Sequence, residues 1–134
     1  MSIRIAYSSI SITNDYDKAL DFYTNKLGFV KKTDMPLGPD ARWLTVVSPE
    51  DPDGTELLLE PNADYPAMKA LKADLVRDGI PFTAFQVKDI HAEYERMKAL
   101  GVEFVMEPTD SGPFIQAVLD DTCGNLIQIF QLKG

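Results

Sequence analysis

The stretches DGTELLLE (residues 53–60) and CGNLIQIF (123–130) decide the fold, because one lies over the other. Gly54 stands opposite Gly124, and each glycine introduces a run of aliphatic residues that reads as a strand after a turn. A second pair lies upstream: DFYTNKLGF (21–29) over EYERMKALGV (93–102), each reaching Leu-Gly before a strand. A shared order of elements arises easily by chance. Two helices ending in Leu-Gly and two final strands preceded by glycine do not, so the chain reads as two copies of one module.

Working outward, alternation marks RIAYSSISIT (4–13), GFVKKTDM (28–35), RWLTVVS (42–48) and TELLLE (55–60) as strands, separated by turn residues such as PLGPD and PEDPDG. Between the first two, DYDKALDFYTNKLG (15–28) carries Ala19, Phe22, Tyr23 and Leu27 on one helical stripe. Asn14 or Asp15 can cap its start and Gly28 its end. NADYPAMKALKADLVRDG (62–79) reads as a linking helix. The pattern then recurs: strand PFTAFQV (81–87), a helix IHAEYERMKALG (90–101) capped by Asp89, and strands VEFVM (102–106), FIQAVLD (114–120) and NLIQIFQ (125–131). The expectation is a single domain with module one at about 1–62, the linking helix at about 63–79 and module two at about 80–134, each module β-α-β-β-β.

Composition narrows the function. With 134 residues, 45% hydrophobic and 25% charged, the chain can bury one sizeable core. A net charge of -8 with scattered Lys and Arg leaves no basic face for phosphates, which excludes a nucleic-acid partner. No apolar run approaches the roughly 20 residues that span a bilayer, and the opening MSIRIAYSSISITND lacks the apolar centre of a signal peptide. The expectation is a cytoplasmic protein without a membrane partner. The single cysteine, Cys123, cannot form an internal disulfide, and its two aspartate neighbours oppose a thiolate. The single histidine, His91, sits at a helix start with no second group to form a catalytic pair, and reads as solvent-facing.

In DYDKALDFYTNKLGF, SPEDPDGTELLLEPN, KDIHAEYERMKALGVEF and DDTCGNLIQIFQ, the sequence resembles the vicinal oxygen chelate superfamily of glyoxalase I, bleomycin-resistance proteins and extradiol dioxygenases, over essentially its whole length. The resemblance implies an α+β fold in which two βαβββ modules pair into a cupped, mixed sheet with helices on the outer face. It also implies a homodimer and a cavity for a small molecule. Metal-dependent members place ligands on the first and fourth strands of each module. The family's last-strand glutamate, four residues after the turn glycine, falls on Gln128, and its counterpart in module one is Leu58. Counting seven back from the capping Asp89 gives Phe82; the same count gives Ser8 from Asp15, or Tyr7 if Asn14 caps instead.

Phe82 and Leu58 have no lone pair to offer, and Gln128 is a neutral donor, so the resemblance carries no metal or other cofactor with it. Glu60, two beyond Leu58 and on the same side by alternation, is the one residue that can slide into a ligand role or act as a lone base; the plainer alternative is a solvated carboxylate at the strand end. Alternation adds Trp43, Thr45, Val47, Ala84, Gln86, Leu126 and Phe130 to the inner wall, and turns Leu44, Val46, Ile127 and Ile129 to the core. The candidate ligand-binding set is therefore Ser8, Trp43, Leu58, Glu60, Phe82, Gln86, Gln128 and Phe130, with Glu60 the one catalytic candidate. An apolar wall with a few polar points suits a small organic ligand that stacks on Trp43 or Phe82 and is oriented by Gln128, although core or dimer packing would use the same aromatic residues. Two readings follow: a metal-free small-molecule-binding protein, or a glyoxalase I-like isomerase or lyase with a shifted metal site using Glu60.

Overall fold

A computed structural model describes residues 2–134. Two compact units divide the chain, one ending at Asp64 and the other starting at Tyr65. The first holds β1 (Tyr7–Ser11), α1 (Tyr16–Asp21), β2 (Val30–Pro36), β3 (Arg42–Val47) and β4 (Glu56–Glu60). The second holds α2 (Pro66–Arg77), β5 (Thr83–Gln86), α3 (Ile90–Ala99), β6 (Phe104–Asp110), β7 (Phe114–Asp120) and β8 (Leu126–Leu132). The class is α+β, with two four-stranded mixed sheets of order β1-β4-β3-β2 and β5-β8-β7-β6. In both, the first strand runs parallel to the last and the other pairs are antiparallel.

The helix after β1 starts where a side chain satisfies its free amides: the Asp15 carboxylate accepts from the Lys18 amide at 3.0 Å. Its last turns are π-helical over Phe22–Lys26, with the Leu27 amide reaching back to the Phe22 carbonyl. The Thr24 hydroxyl donates to the Leu20 carbonyl at 2.6 Å, a back-bond that competes with the regular ladder. Widening the turn lets adjacent Phe22 and Tyr23 both be buried. Gly28, at φ 96, takes the left-handed conformation that ends the helix. In the second unit Asp89 caps α3 by accepting from the Ala92 amide, and Gln131 Oε1 accepts from the Ile90 amide at 2.8 Å.

Each sheet buries one face under its helix. Ile10, Leu44, Val46 and Leu59 meet Ala19, Phe22 and Tyr23 in the first unit; Ala117, Leu119, Ile127 and Ile129 meet Ile90 and Met97 in the second. Each of these large aliphatic side chains contributes about 2 kcal/mol by leaving water. The expected core residues Leu44, Val46, Ile127 and Ile129 are all among them.

Several boundaries differ from the sequence reading: β1 starts at Tyr7 rather than residue 4, and β6 shifts furthest. β6 extends through Pro108 to Asp110, because an edge strand with register shifts around Met106 tolerates a residue without an amide hydrogen. α2, read as a linker, groups with the second unit. Its one buried side chain is Lys72, whose ammonium donates to the Cys123 carbonyl at 2.7 Å in the turn before β8. Among the described residues, no helix is long and apolar enough to cross a membrane.

Candidate functional site

Most of the candidate residues lie on the face of each sheet turned away from its helix, and strand register fixes which side chains share that face. In the first unit Tyr7 pairs with Glu56, Ser9 with Leu58 and Ser11 with Glu60, while Ser8 pairs with Leu57 and Ile10 with Leu59. Paired residues share a face, so Tyr7, Glu56, Leu58 and Glu60 lie on the open side with Trp43 and Thr45. Ser8 shares the side of Ile10 and Leu59, which is the core side. Counting back from the cap that forms, Asp15, points to Ser8; the register overrules that count and assigns the position to Tyr7. The second unit agrees: the Phe82 amide donates to the Leu126 carbonyl, and Leu126 is the repeat partner of Glu56, so Phe82 and Tyr7 hold equivalent places.

On the first face, Tyr7 and Trp43 meet edge to face with ring centroids 5.1 Å apart, although β4 lies between their strands. The rings bridge the strand that carries Leu58, which is only 4% exposed. Glu60 is half-buried on the same face, and its carboxylate has no hydrogen-bond partner among the described residues. A second carboxylate, which the sequence reading missed, is Glu56. Its Oε1 accepts from the hydroxyls of Thr45 at 2.6 Å and Thr33 at 3.2 Å. The Thr45 oxygen in turn accepts from the Thr33 amide at 3.2 Å. The alternation that selected Glu60 selects Glu56 equally, two residues before Leu58, so the signal was present.

On the second face, Gln128 lies between Ala84 and Val118 in register. Its Nε2 donates to Gln116 Oε1 at 2.6 Å, and Gln116 Nε2 donates to Ser111 Oγ at 2.9 Å. The amide therefore has a side-chain partner on β7, and its own Oε1 stays open as an acceptor. Gln116 is the repeat counterpart of Trp43: Thr45 pairs with Leu58 and Val118 with Gln128, and both residues sit two before. Sequence reasoning overlaid only the helices and the final strands, and so did not find it. Gln86 pairs with Phe130, both on the open face; Phe82 and Phe130 are half-buried and Gln86 is exposed. His91 is exposed on α3, and Cys123 is buried in the turn before β8.

The places where the family resemblance puts metal ligands fall on Tyr7 and Leu58 in the first unit and on Phe82 and Gln128 in the second. A phenol, an alkyl group, a phenyl ring and an amide do not fit such an ion, which needs imidazole or carboxylate donors. No group of three or more His, Cys, Asp or Glu able to hold a metal exists among the described residues.

Comparison with known proteins agrees with this architecture. The chain is 54% identical over 129 residues to the uncharacterized protein YurT of Bacillus subtilis (strain 168), covering 96% of this chain and 99% of that one. The crystal structure of UcmS2 superposes with a TM-score of 0.79 at 32% identity, covering 97% of this chain and 98% of that one. The crystal structure of TnmS3, an antibiotic binding protein from Streptomyces sp. CB03234, superposes with a TM-score of 0.76 at 27% identity over 99% of each chain. Residues 5–129 match the family model of the Glyoxalase/Bleomycin resistance protein/Dioxygenase superfamily, and the chain belongs to that superfamily.

Proposed function

We propose that this protein binds a small organic molecule without a metal, in a role of the ligand-sequestering kind. The observation that carries the reading is the replacement of the four ligand places by Tyr7, Leu58, Phe82 and Gln128: surfaces for stacking and one orienting amide in place of metal donors. The description of TnmS3 as an antibiotic binding protein supports the same class of role. On the second open face the ligand stacks on Phe82 and Gln128 Oε1 accepts a hydrogen bond from it; on the first, Tyr7 and Trp43 offer the stacking surface. The reading includes a homodimer, as the family resemblance implies, and a cytoplasmic location.

The test begins with elemental analysis of the purified protein before and after Ni²⁺, Co²⁺, Zn²⁺ and Mg²⁺ are offered, followed by calorimetric titration with planar aromatic compounds. The expected result is no stoichiometric metal, together with a binder whose affinity falls about tenfold in Trp43→Ala when it takes the first face, or several-fold in Gln128→Ala when it takes the second. One tightly held metal per chain would overturn the reading in favour of a second one, a glyoxalase-like isomerase with Glu60 as base. The observation that favours this rival is the unbonded Glu60 carboxylate on the open face. Full turnover in Glu60→Gln would remove it.

A further inference from the structure

Glu56 offers chemistry beyond the expected positions. Both hydroxyl bonds to this side chain end on Oε1, from Thr45 at 2.6 Å and Thr33 at 3.2 Å. The Thr33 amide fixes the Thr45 hydroxyl from behind, so the Thr45 proton has one place to go, the carboxylate. The side chain is pinned by one oxygen, and Oε2 has no partner among the described residues. No lysine or arginine there forms an ion pair with it. Tyr7 is its partner in register on β1, across β4 from the two threonines, and meets Trp43 edge to face on the same open face. Tyr7 is 48% exposed, so the aromatic surface is accessible. The second unit has nothing comparable at this place: its repeat partner is Leu126, which is buried.

We propose that Glu56 Oε2 and the Tyr7–Trp43 pair form a subsite for a protonated amine, so that the ligand carries a cationic nitrogen next to its flat or apolar body. An oriented carboxylate oxygen takes an ammonium hydrogen in a charge-assisted bond, and the rings on the same face give the flat body of the ligand a surface to stack on. A neutral hydroxyl in the same place gains no charge-assisted bond. Holding Oε1 with two threonines removes the rotamer freedom that an unheld glutamate would lose on binding, which is the advantage of preorganisation. The inference rests on the small-molecule-binding reading above and specifies its ligand class.

The test uses a matched pair, benzylamine and benzyl alcohol. Trp43 is the single tryptophan of the chain, so its indole N–H gives one assigned signal in a two-dimensional ¹H–¹⁵N spectrum. In the unaltered protein, benzylamine is expected to move that signal with an affinity about tenfold above that of benzyl alcohol. The amine-to-alcohol ratio is expected to fall close to one in Glu56→Gln. It should fall part of the way in Thr45→Val, which keeps the carboxylate but releases it; the dispersion of the remaining signals reports that each variant is folded. Equal affinities for amine and alcohol in the unaltered protein would overturn the subsite and leave the binding reading standing. A preference that survives Glu56→Gln would overturn the assignment to Glu56. If neither compound moves the Trp43 signal, the binding reading for this face falls and the subsite falls with it.

Discussion

The open faces of the two units are built on one register and carry inverted chemistry. Along β4 the outward residues are Glu56, Leu58 and Glu60; along β8 their counterparts are Leu126, Gln128 and Phe130. Polar–apolar–polar faces one way, and apolar–polar–apolar the other. On the adjacent strands Trp43 corresponds to Gln116, and Tyr7 to Phe82. The first face is an aromatic pair flanked by carboxylates, and the second is an uncharged amide pair among phenylalanines. Under the helices the two copies agree: aliphatic residues fill both cores. The backbone and core of a duplicated module are held by packing, whereas an open face is free to diverge toward whatever it contacts.

The turns before the last strands diverge in the same way. Asp121 is fully buried and accepts from the amides of Cys123 and Asn125 and from Asn125 Nδ2. Its repeat counterpart, Asp51, is exposed. Each turn is also tied by a lysine to a turn carbonyl: Lys32 reaches Pro52 at 2.9 Å on the surface, and Lys72 reaches Cys123 at 2.7 Å in the interior.

Three experiments would break or sharpen this comparison. The largest effect is expected where the copies agree. Leu59→Ala and Ile129→Ala, both on the helix-covered faces, should each cost about 3 kcal/mol in urea unfolding. A cost below about 1 kcal/mol at either site would show that the two cores are not equivalent. The next effect separates the turns: Asp121→Ala strands buried amide donors and should cost about 2 kcal/mol or more, while Asp51→Ala should stay within about 0.5 kcal/mol. Equal costs would mean that the burial of Asp121 does not matter.

The smallest effect is a pH slope. Burial holds the Lys72 ammonium below its ordinary value of 10.5, an effect partly offset by electrostatic attraction, chiefly from Asp121. The folded chain therefore releases this proton at a lower pH than the unfolded chain does. Below the folded-state value the cost of the buried charge is fully present; between that value and 10.5 the unfolded chain holds more protons, so stability rises with pH. Subtracting the profile of Lys72→Met from that of the unaltered protein should give a difference that rises through this alkaline window. A flat or falling difference would show that burial does not govern the group.

Much of the fold was legible because it rests on short-range patterns. Alternation marked the strands, Leu-Gly marked both helix ends, and the two glycine turns exposed the duplication. The open-face positions on β4 and β8 followed from period two alone, which is why Leu58, Glu60, Gln128 and Phe130 all share the expected side. The first strand was harder. Its side chains change face with every residue, and the distance from β1 to the helix cap does not specify which residue pairs with β4. The Gln116–Gln128 bond and the Thr33–Thr45–Glu56 cluster join strands 12, 11 and 23 positions apart in the chain, and no local pattern announces them.

The sequence by itself determined the duplicated module and the two apolar cores, since each follows from residue type and local spacing; that Leu58, Phe82 and Gln128 stand at metal-ligand places came only with the family resemblance. Only the tertiary structure decided that Tyr7 and not Ser8 shares the open face with Leu58, that Gln128 is held by Gln116, and that Glu56 is pinned by two threonines on the face that carries an aromatic pair. Those three facts depend on the register between strands, which is fixed by the packing of whole faces and the hydrogen-bond ladder they share.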